Sequence, residues 1–263
     1  MIHFVSKHIV AGVRELGASW FAIAMVRDSP DPFFEKHAIS MLSQSEHHRF
    51  TGFASPSRAR SYLLGRVAAK LALAEADATP SSQWSIESGV YGQPIVGPLN
   101  HAGPVLQASI SHSSNVAVAV VSPAVWPICV DIEEISQSNV RLISEYLSQD
   151  QANRSIVLNN LELDRQQKMT ALWSITEAAS KHLGGGLAID LSVFDIDRIV
   201  QKYSYLLWSS FSRLPHIQSW TGLSTDHVLS LVMPKPGNLV DEAVLFESAM
   251  DWLSQADSSP ANR

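Results

Sequence analysis

The chain holds a single cysteine, Cys129, among 263 residues. No internal disulfide is possible, and a set of thiolate zinc ligands is excluded with it. Basic charge is also scarce: the net charge is −6, so no global cationic field exists for bulk nucleic-acid binding. Long uninterrupted apolar runs are missing. The longest candidate, "IVAGVRELGASWFAIAMV", is cut by Arg14 and Glu15 and falls short of a membrane span. It lacks the basic start and small-residue cleavage site of a signal peptide. A cytoplasmic protein without membrane contact is expected. No Gly-x-Ser-x-Gly elbow occurs, which argues against a Ser-His-Asp hydrolase of that type. The glycine run in "HLGGGL" has no Lys-Ser/Thr after it, so it is not a phosphate loop of the Walker kind.

Hydrophobic residues make up 46% and charged ones 17%, ordinary values for a globular protein. A core of this size needs neither disulfides nor metals. The pattern predicts a strand at "SWFAIAMV" and a helix over 35–48 with Met41 and Leu42 as core positions. The strongest helix is predicted over 57–76, with Ser57 as N-cap. Strands follow at "QWSIESG", "ASISHSS", "NVAVAVV" and "ICVDIEEI", with a turn at "YGQP". Helices are expected over 140–162 and 166–183, the second stopped by Gly184–Gly186. Strand-like pieces, "SVFDIDRI", "SYLLWSSF", "HIQSWTG" and "HVLSLVMP", complete the chain before a polar tail. Helices and strands thus run in blocks, which is an α+β layout with a boundary near 122–127.

In "ICVDIEEI" the acids Asp131 and Glu133 alternate within an apolar strand. Residues two apart share a strand face, so the two carboxylates would repel unless a cation lies between them. The helix 166–183 brings a third carboxylate, Glu177, with Lys181 four residues on and on the same helix face. Three carboxylates suit a hard divalent cation such as Mg²⁺, and Lys181 beside it would face phosphate. Ser111 and His112 lie where a strand gives way to a turn and form either an anion-binding corner or a plain turn. The segment 47–70 carries Arg49, Arg58, Arg60, Arg66 and Lys70 with no acid among them. It reads as either a local cationic patch for a small anionic ligand or a solvated helix face.

Four stretches, "YGQP", "SISHSS", "CVDIEE" and "WSITEAASKHLGGGL", together with the helix "RSYLLGRVAAKLAL", resemble the Sfp-type 4'-phosphopantetheinyl transferases over roughly residues 45–190. The resemblance implies two similar α+β halves related by a pseudo-twofold, with the active site in the cleft between them. Residues 1–124 would form the N-terminal half, with coenzyme A and 3'-phosphate contacts. Residues 125–245 would form the C-terminal half with the metal site and catalytic helix, and 246–263 a partly disordered tail. It implies transfer of the phosphopantetheine arm of coenzyme A to a serine of an apo acyl or peptidyl carrier protein, releasing adenosine 3',5'-bisphosphate. Mg²⁺ would be held by Asp131, Glu133 and Glu177. Glu177 and Lys181 would be catalytic, and Arg49, Gln93, Ser111, His112 and Lys181 would bind coenzyme A. A monomer is implied.

Three positions depart from the family pattern. Thr176 stands where Lys is common, Gln93 where Lys is frequent in the turn, and Cys129 where Gly is usual. The first two exchanges are expected to remove positive charge near coenzyme A. They motivate a competing reading, a catalytically weakened binding module for coenzyme A or a carrier protein. A Mg²⁺-dependent phosphohydrolase would use the same acids but leaves Ser111, His112 and Arg49 unexplained.

Overall fold

The computed structural model describes residues 3–11, 19–77, 80, 83–98, 105–138, 140, 141, 143, 160–235 and 237–255. Two five-stranded antiparallel sheets dominate. The first contains β1 (His3–Ala11), β2 (Ser19–Arg27), β5 (Leu106–Ser113), β6 (Val116–Pro123) and β12 (Asn238–Leu239), in the order β12-β1-β2-β6-β5. The second contains β7 (Cys129–Glu134), β8 (Ile196–Tyr203), β9 (Leu206–Phe211), β10 (Ile217–Leu223) and β11 (His227–Pro234), in the order β7-β11-β10-β9-β8. A separate hairpin pairs β3 (Trp84–Ser88) with β4 (Pro94–Pro98) through a turn in which Gly92 takes a φ of 81°, a conformation that costs glycine little.

Side-chain size sorts the two faces of the central strands. Phe21, Ile23 and Met25 of β2 and Val116, Val118 and Val120 of β6 point into a core shared with Ile128, just before β7, and with Val130, Ile132, Leu229 and Leu231 of the second sheet. The alternate residues are mostly alanines (Ala22, Ala24, Ala117 and Ala119) and meet the long helix α3 (Pro56–Ala76). Small side chains on that face let the helix lie close to the sheet. The outer face of the second sheet is covered in the same way by a helix over Arg165–His182, through Leu172, Ile175, Ala178 and Ala179. The layers therefore run helix, sheet, sheet, helix, the α+β arrangement the sequence pattern implies.

Several local expectations shift. The helix expected over 35–48 is two helices, α1 (Pro32–Ser40) and α2 (Gln44–Thr51). The break has a chemical cause: Ser43 and Glu46 form a reciprocal capping box that starts a new helix. Helix α3 begins earlier than expected, with Ser55 as its cap and Pro56 in its first turn. Strand β1 occupies a segment for which no strand was expected. The helix expected over 140–162 lies largely outside the described residues, whereas that over 166–183 is present as Arg165–His182 and is labelled α4 below. The segment after Pro234 is ordered through Ser254. Strand β12 returns to pair with β1, and α5 (Glu242–Ser254) inserts Leu245, Phe246, Met250 and Leu253 into the core between the sheets. The tail expected from residue 246 thus begins as helix, and its remainder, 256–263, lies outside the described residues. Among the described residues no helix is long and apolar enough to cross a membrane.

The basic segment 47–70 is not a free cationic patch. Arg60 pairs with Asp28 and reaches Glu35. Arg66 and Lys70 turn inward to Glu46, with Lys70 Nζ 2.9 Å from Glu46 Oε2 and both side chains sealed from solvent. A buried pair of this kind is costly to break, because the remaining charge loses its counter-ion. Lys70→Met is expected to destabilise the fold by about 3 kcal/mol, read as a lowered urea midpoint at unchanged slope.

Candidate active site at the seam between the sheets

Strand β5 is one edge of the first sheet and β7 one edge of the second, and these edges meet. No backbone ladder joins them among the described pairings, so the amides of β7 on that side need other partners. Serines supply them. Ser109 Oγ accepts from Val130 N at 3.0 Å and Ser113 Oγ from Glu134 N at 2.9 Å. Ser122 Oγ on β6 accepts from Ile128 N at 3.3 Å. Ser111, midway along this row, does something different. Its hydroxyl donates to Asp131 Oδ1 at 2.7 Å and accepts from Lys181 Nζ at 3.0 Å.

Helix α4 closes the seam from the other side. Its start is fixed by a capping box between Asp164 and Gln167. Trp173, Glu177 and Lys181 follow at intervals of four residues and form one stripe facing β7. Lys181 Nζ is 2.7 Å from Asp131 Oδ1 and also donates to Val130 O at 3.2 Å. Trp173 Nε1 donates to Glu133 Oε1 at 3.1 Å, and Ser113 Oγ donates to Glu133 Oε2 at 3.3 Å. Asp131 and Glu133 therefore each have their own serine and their own helix residue. Glu177 lies between the two on the helix stripe. Lys181, expected beside Glu177, makes its ion pair with Asp131 instead.

The electrostatics follow from burial and crowding. Glu133 is pushed up to about 7 by burial and by the charge of Asp131, against the opposing hydrogen bond from Trp173. Glu177 is raised by burial and again by Asp131, with Lys181 working the other way. Burial alone would lower Lys181, but the charge and hydrogen bond of Asp131 outweigh it and hold the ammonium above its usual value.

Three carboxylates against one ammonium leave the seam short of positive charge. Asp131 Oδ2 is buried and has no hydrogen-bond partner among the described residues, which is an expensive arrangement for a carboxylate. An oxygen-seeking divalent cation fits this donor set. Among the described residues no three such side chains are already gathered at ligating distance, and Trp173 and Ser113 hold the oxygens of Glu133.

A cavity of about 300 Å³ adjoins Lys181. Its wall joins the turn Tyr91–Pro94, the β5 segment Gln107–Ile110, Cys129, and the end of α4 with Gly184 and Gly186. All four stretches singled out in the sequence thus contribute to one wall. Gln93 lines it, but its side chain folds back over the turn, where Oε1 accepts from Tyr91 N at 2.9 Å. The fold-back depends on Gly89, since a Cβ there would sit 2.4 Å from Gln93 Cδ.

The other expected residues are less central. Ser111 is buried and His112 exposed; as neighbours on β5 their side chains leave the strand on opposite sides. Arg49 is exposed on α2, outside the cavity wall, with Nη1 donating to Ser88 Oγ at 2.7 Å. Thr176 is fully buried, its hydroxyl donating to Leu172 O at 2.8 Å. Thr176 therefore faces the core and is not part of the cavity wall. Reading the sequence assigned no role to Trp173, Ser109 and Ser113. The signals were there: serine at every second position of "SISHS", and a tryptophan four residues before Glu177.

The family model for the 4'-phosphopantetheinyl transferase superfamily matches residues 127–232, the segment that carries Asp131, Glu133, Glu177 and Lys181. The match covers less than half of the chain. The chain is 31% identical over 137 residues to the 4'-phosphopantetheinyl transferase psf-1 of Bacillus pumilus, covering 52% of this chain and 55% of that one. It is 26% identical over 169 residues to the 4'-phosphopantetheinyl transferase gsp of Aneurinibacillus migulanus, covering 62% of this chain and 67% of that one. Against the 4'-phosphopantetheinyl transferase Sfp of Bacillus subtilis the identity is 25% over 167 residues, covering 59% and 71%. The chain thus spans little more than half the length of the first of these relatives. A solved holo-(acyl-carrier-protein) synthase from Bacillus anthracis covers 43% of this chain and 96% of its own at 22% identity and a TM-score of 0.35.

Within the matched segment, Cys129 is only 6% exposed. Burial pushes its thiol up to about 11, against the opposing effects of Ser109 and Lys181. The thiol is therefore neutral at physiological pH. Alkylation of the native protein by iodoacetamide at pH 8 is expected to run about a hundredfold slower than in urea, and to rise with pH well beyond the usual thiol range. Intact-mass time courses at several pH values check this.

Proposed function

We propose that the chain is a Mg²⁺-dependent 4'-phosphopantetheinyl transferase of the holo-[acyl-carrier-protein] synthase type. It would take coenzyme A and an apo acyl or peptidyl carrier protein, and release holo carrier and adenosine 3',5'-bisphosphate. The observation that carries this reading is the cavity wall, which brings the turn, the β5 serines, β7 and the end of α4 together beside Lys181 and three carboxylates. The superfamily match over the metal-site half supports it. Function as a monomer in the cytoplasm completes the reading, in two halves meeting near residues 122–127.

Asp131, Glu133 and Glu177 would hold the cation, whose chemistry is to neutralise pyrophosphate charge as a Lewis acid. The reaction is a phosphoryl transfer. The carrier serine oxygen bonds to the phosphorus attached to the pantetheine arm. The bond from that phosphorus to the bridging oxygen breaks, and the electron pair leaves with adenosine 3',5'-bisphosphate. Glu177, or a water held at the cation, would receive the serine proton. Lys181 would meet the departing phosphate by exchanging part of its contact with Asp131 and Ser111. Ser111, His112, Gln93 and Arg49 would contact coenzyme A, with Arg49 at the 3'-phosphate.

A binding module without turnover is the second reading. It is favoured by Lys181, whose three hydrogens all have acceptors within the seam, and by the folded-back Gln93. Intact-mass analysis of an apo carrier incubated with the protein, coenzyme A and Mg²⁺ separates the two. Transfer adds about 340 Da to the carrier, and both metal removal and Glu177→Gln are expected to abolish it or slow it by at least about a hundredfold. Coenzyme A binding with no mass gain across fatty-acid, polyketide and peptide carriers would establish the module.

A further inference from the structure

Glu46 is 1% exposed yet lies far from the carboxylates of the seam in both sequence and sheet. Its carboxylate binds four groups from three elements. Oε2 accepts from Ser43 N at 2.7 Å, closing the capping box of α2, and pairs with Lys70 Nζ of α3 at 2.9 Å. Oε1 accepts from Ile86 N of β3 at 3.1 Å and has Arg66 Nε of α3 at 3.7 Å. Lys70 extends the link by donating to Trp84 O, also on β3. A capping glutamate needs only the first of these contacts. The others fasten α2 and α3 to the β3–β4 hairpin.

What the fastening presents is Arg49. It lies three residues beyond Glu46, the next helix neighbour on that side of α2. Its guanidinium donates to Ser88 Oγ and lies 5.9 Å from the Tyr62 ring centroid, while Arg66 takes the same ring at 4.5 Å. Ser45 Oγ donates to Glu87 Oε1 at 2.6 Å, so residues 45, 46 and 49 of α2 each contact β3. Ser88 is the cross-strand partner of Pro94, which lines the cavity. The arginine is thus one rung of a hairpin away from the ligand wall. Left to itself it is a long side chain on an exposed helix, and ordering such a chain costs rotamer entropy on binding.

We infer that Glu46 is a positioning residue for ligand binding: by tying α2 to α3 and β3 it holds Arg49 and Ser88 in register with the cavity, ready for the terminal phosphate of the nucleotide. The inference rests on the proposed transferase reading, in which Arg49 meets the 3'-phosphate of coenzyme A. Glu46 acts through Arg49 and touches no ligand. Its signature is therefore selective. The loss should fall on ligands that carry the 3'-phosphate and spare those that lack it.

The test measures binding by calorimetry, with adenosine 3',5'-bisphosphate and adenosine 5'-phosphate as probes, for the full chain and for Glu46→Gln, Ser88→Ala, Arg49→Ala and Glu46→Gln/Arg49→Ala. Glu46→Gln keeps a capping side chain but loses the charge that gathers Lys70 and Arg66. It is expected to weaken the bisphosphate about tenfold and the monophosphate less than about twofold. Ser88→Ala, which leaves the buried cluster intact, should move the bisphosphate in the same direction. In the Arg49→Ala background the Glu46 exchange should add nothing. In carrier assays the KM for coenzyme A should rise while kcat holds, and dephospho-coenzyme A should show no change. Equal weakening of both probes, or full additivity with Arg49→Ala, would overturn the inference by showing a merely structural role. Should Glu46→Gln not fold, Ser88→Ala alone decides: no selective loss there overturns it. If neither probe binds the full chain, the transferase reading of the cleft fails; if both bind and Arg49→Ala leaves them unchanged, the Arg49 assignment fails and the inference fails with it.

Discussion

Everything at the site depends on how two sheet edges are joined without a backbone ladder. An edge strand exposes amides and carbonyls that must find partners, and here the edges of two different sheets face each other. The serines of β5 act as substitutes for a neighbouring strand, taking Val130 N and Glu134 N through their side chains. A side-chain link spaces the strands more widely than a ladder would. That spacing, with α4 on the far side, gives Asp131, Glu133 and Glu177 a common seam instead of a packed core.

Charge in that seam is deliberately unbalanced. Structural ion pairs in this protein are closed on themselves, as Glu46 with Lys70 and Arg66 shows. The seam instead has three carboxylates, one lysine, and an aspartate oxygen with no partner among the described residues. A purely structural network would gain nothing from that deficit, since an unpaired buried polar atom costs stability. A site of the proposed kind, taking up a cation and a polyphosphate, would need it. The raised pKa of Glu133 and Glu177 reports the same deficit from another side.

The contrast between the two acidic clusters also explains the basic segment of the first half. A run of five cations without an acid suggests a surface patch when read along the chain. Folding brings Asp28, Glu35 and Glu46 to three of those cations, two of them inside the protein. What remains for a ligand is narrower, chiefly Arg49 at its hairpin.

By itself the sequence determined the central strands, the two long helices and which side chains share a face. Alternating apolar residues fixed the central strands, and helical spacing together with the glycine stop fixed α4, because periodicity is written in consecutive residues. The alternation of Asp131 and Glu133, and the spacing of Glu177 and Lys181, placed each pair on one face for the same reason. Tertiary structure decided which faces meet. Lys181 chose Asp131 over its helix neighbour Glu177 because β7 passes closer than one helix turn. His112 separated from Ser111 because a strand sends neighbours to opposite sides. Thr176 turned into the core, and α5 was drawn in by a space between the sheets that no local pattern announces. Contacts between residues far apart in the chain depend on the packing of whole layers, and packing is a property of the assembled volume, not of any window of sequence.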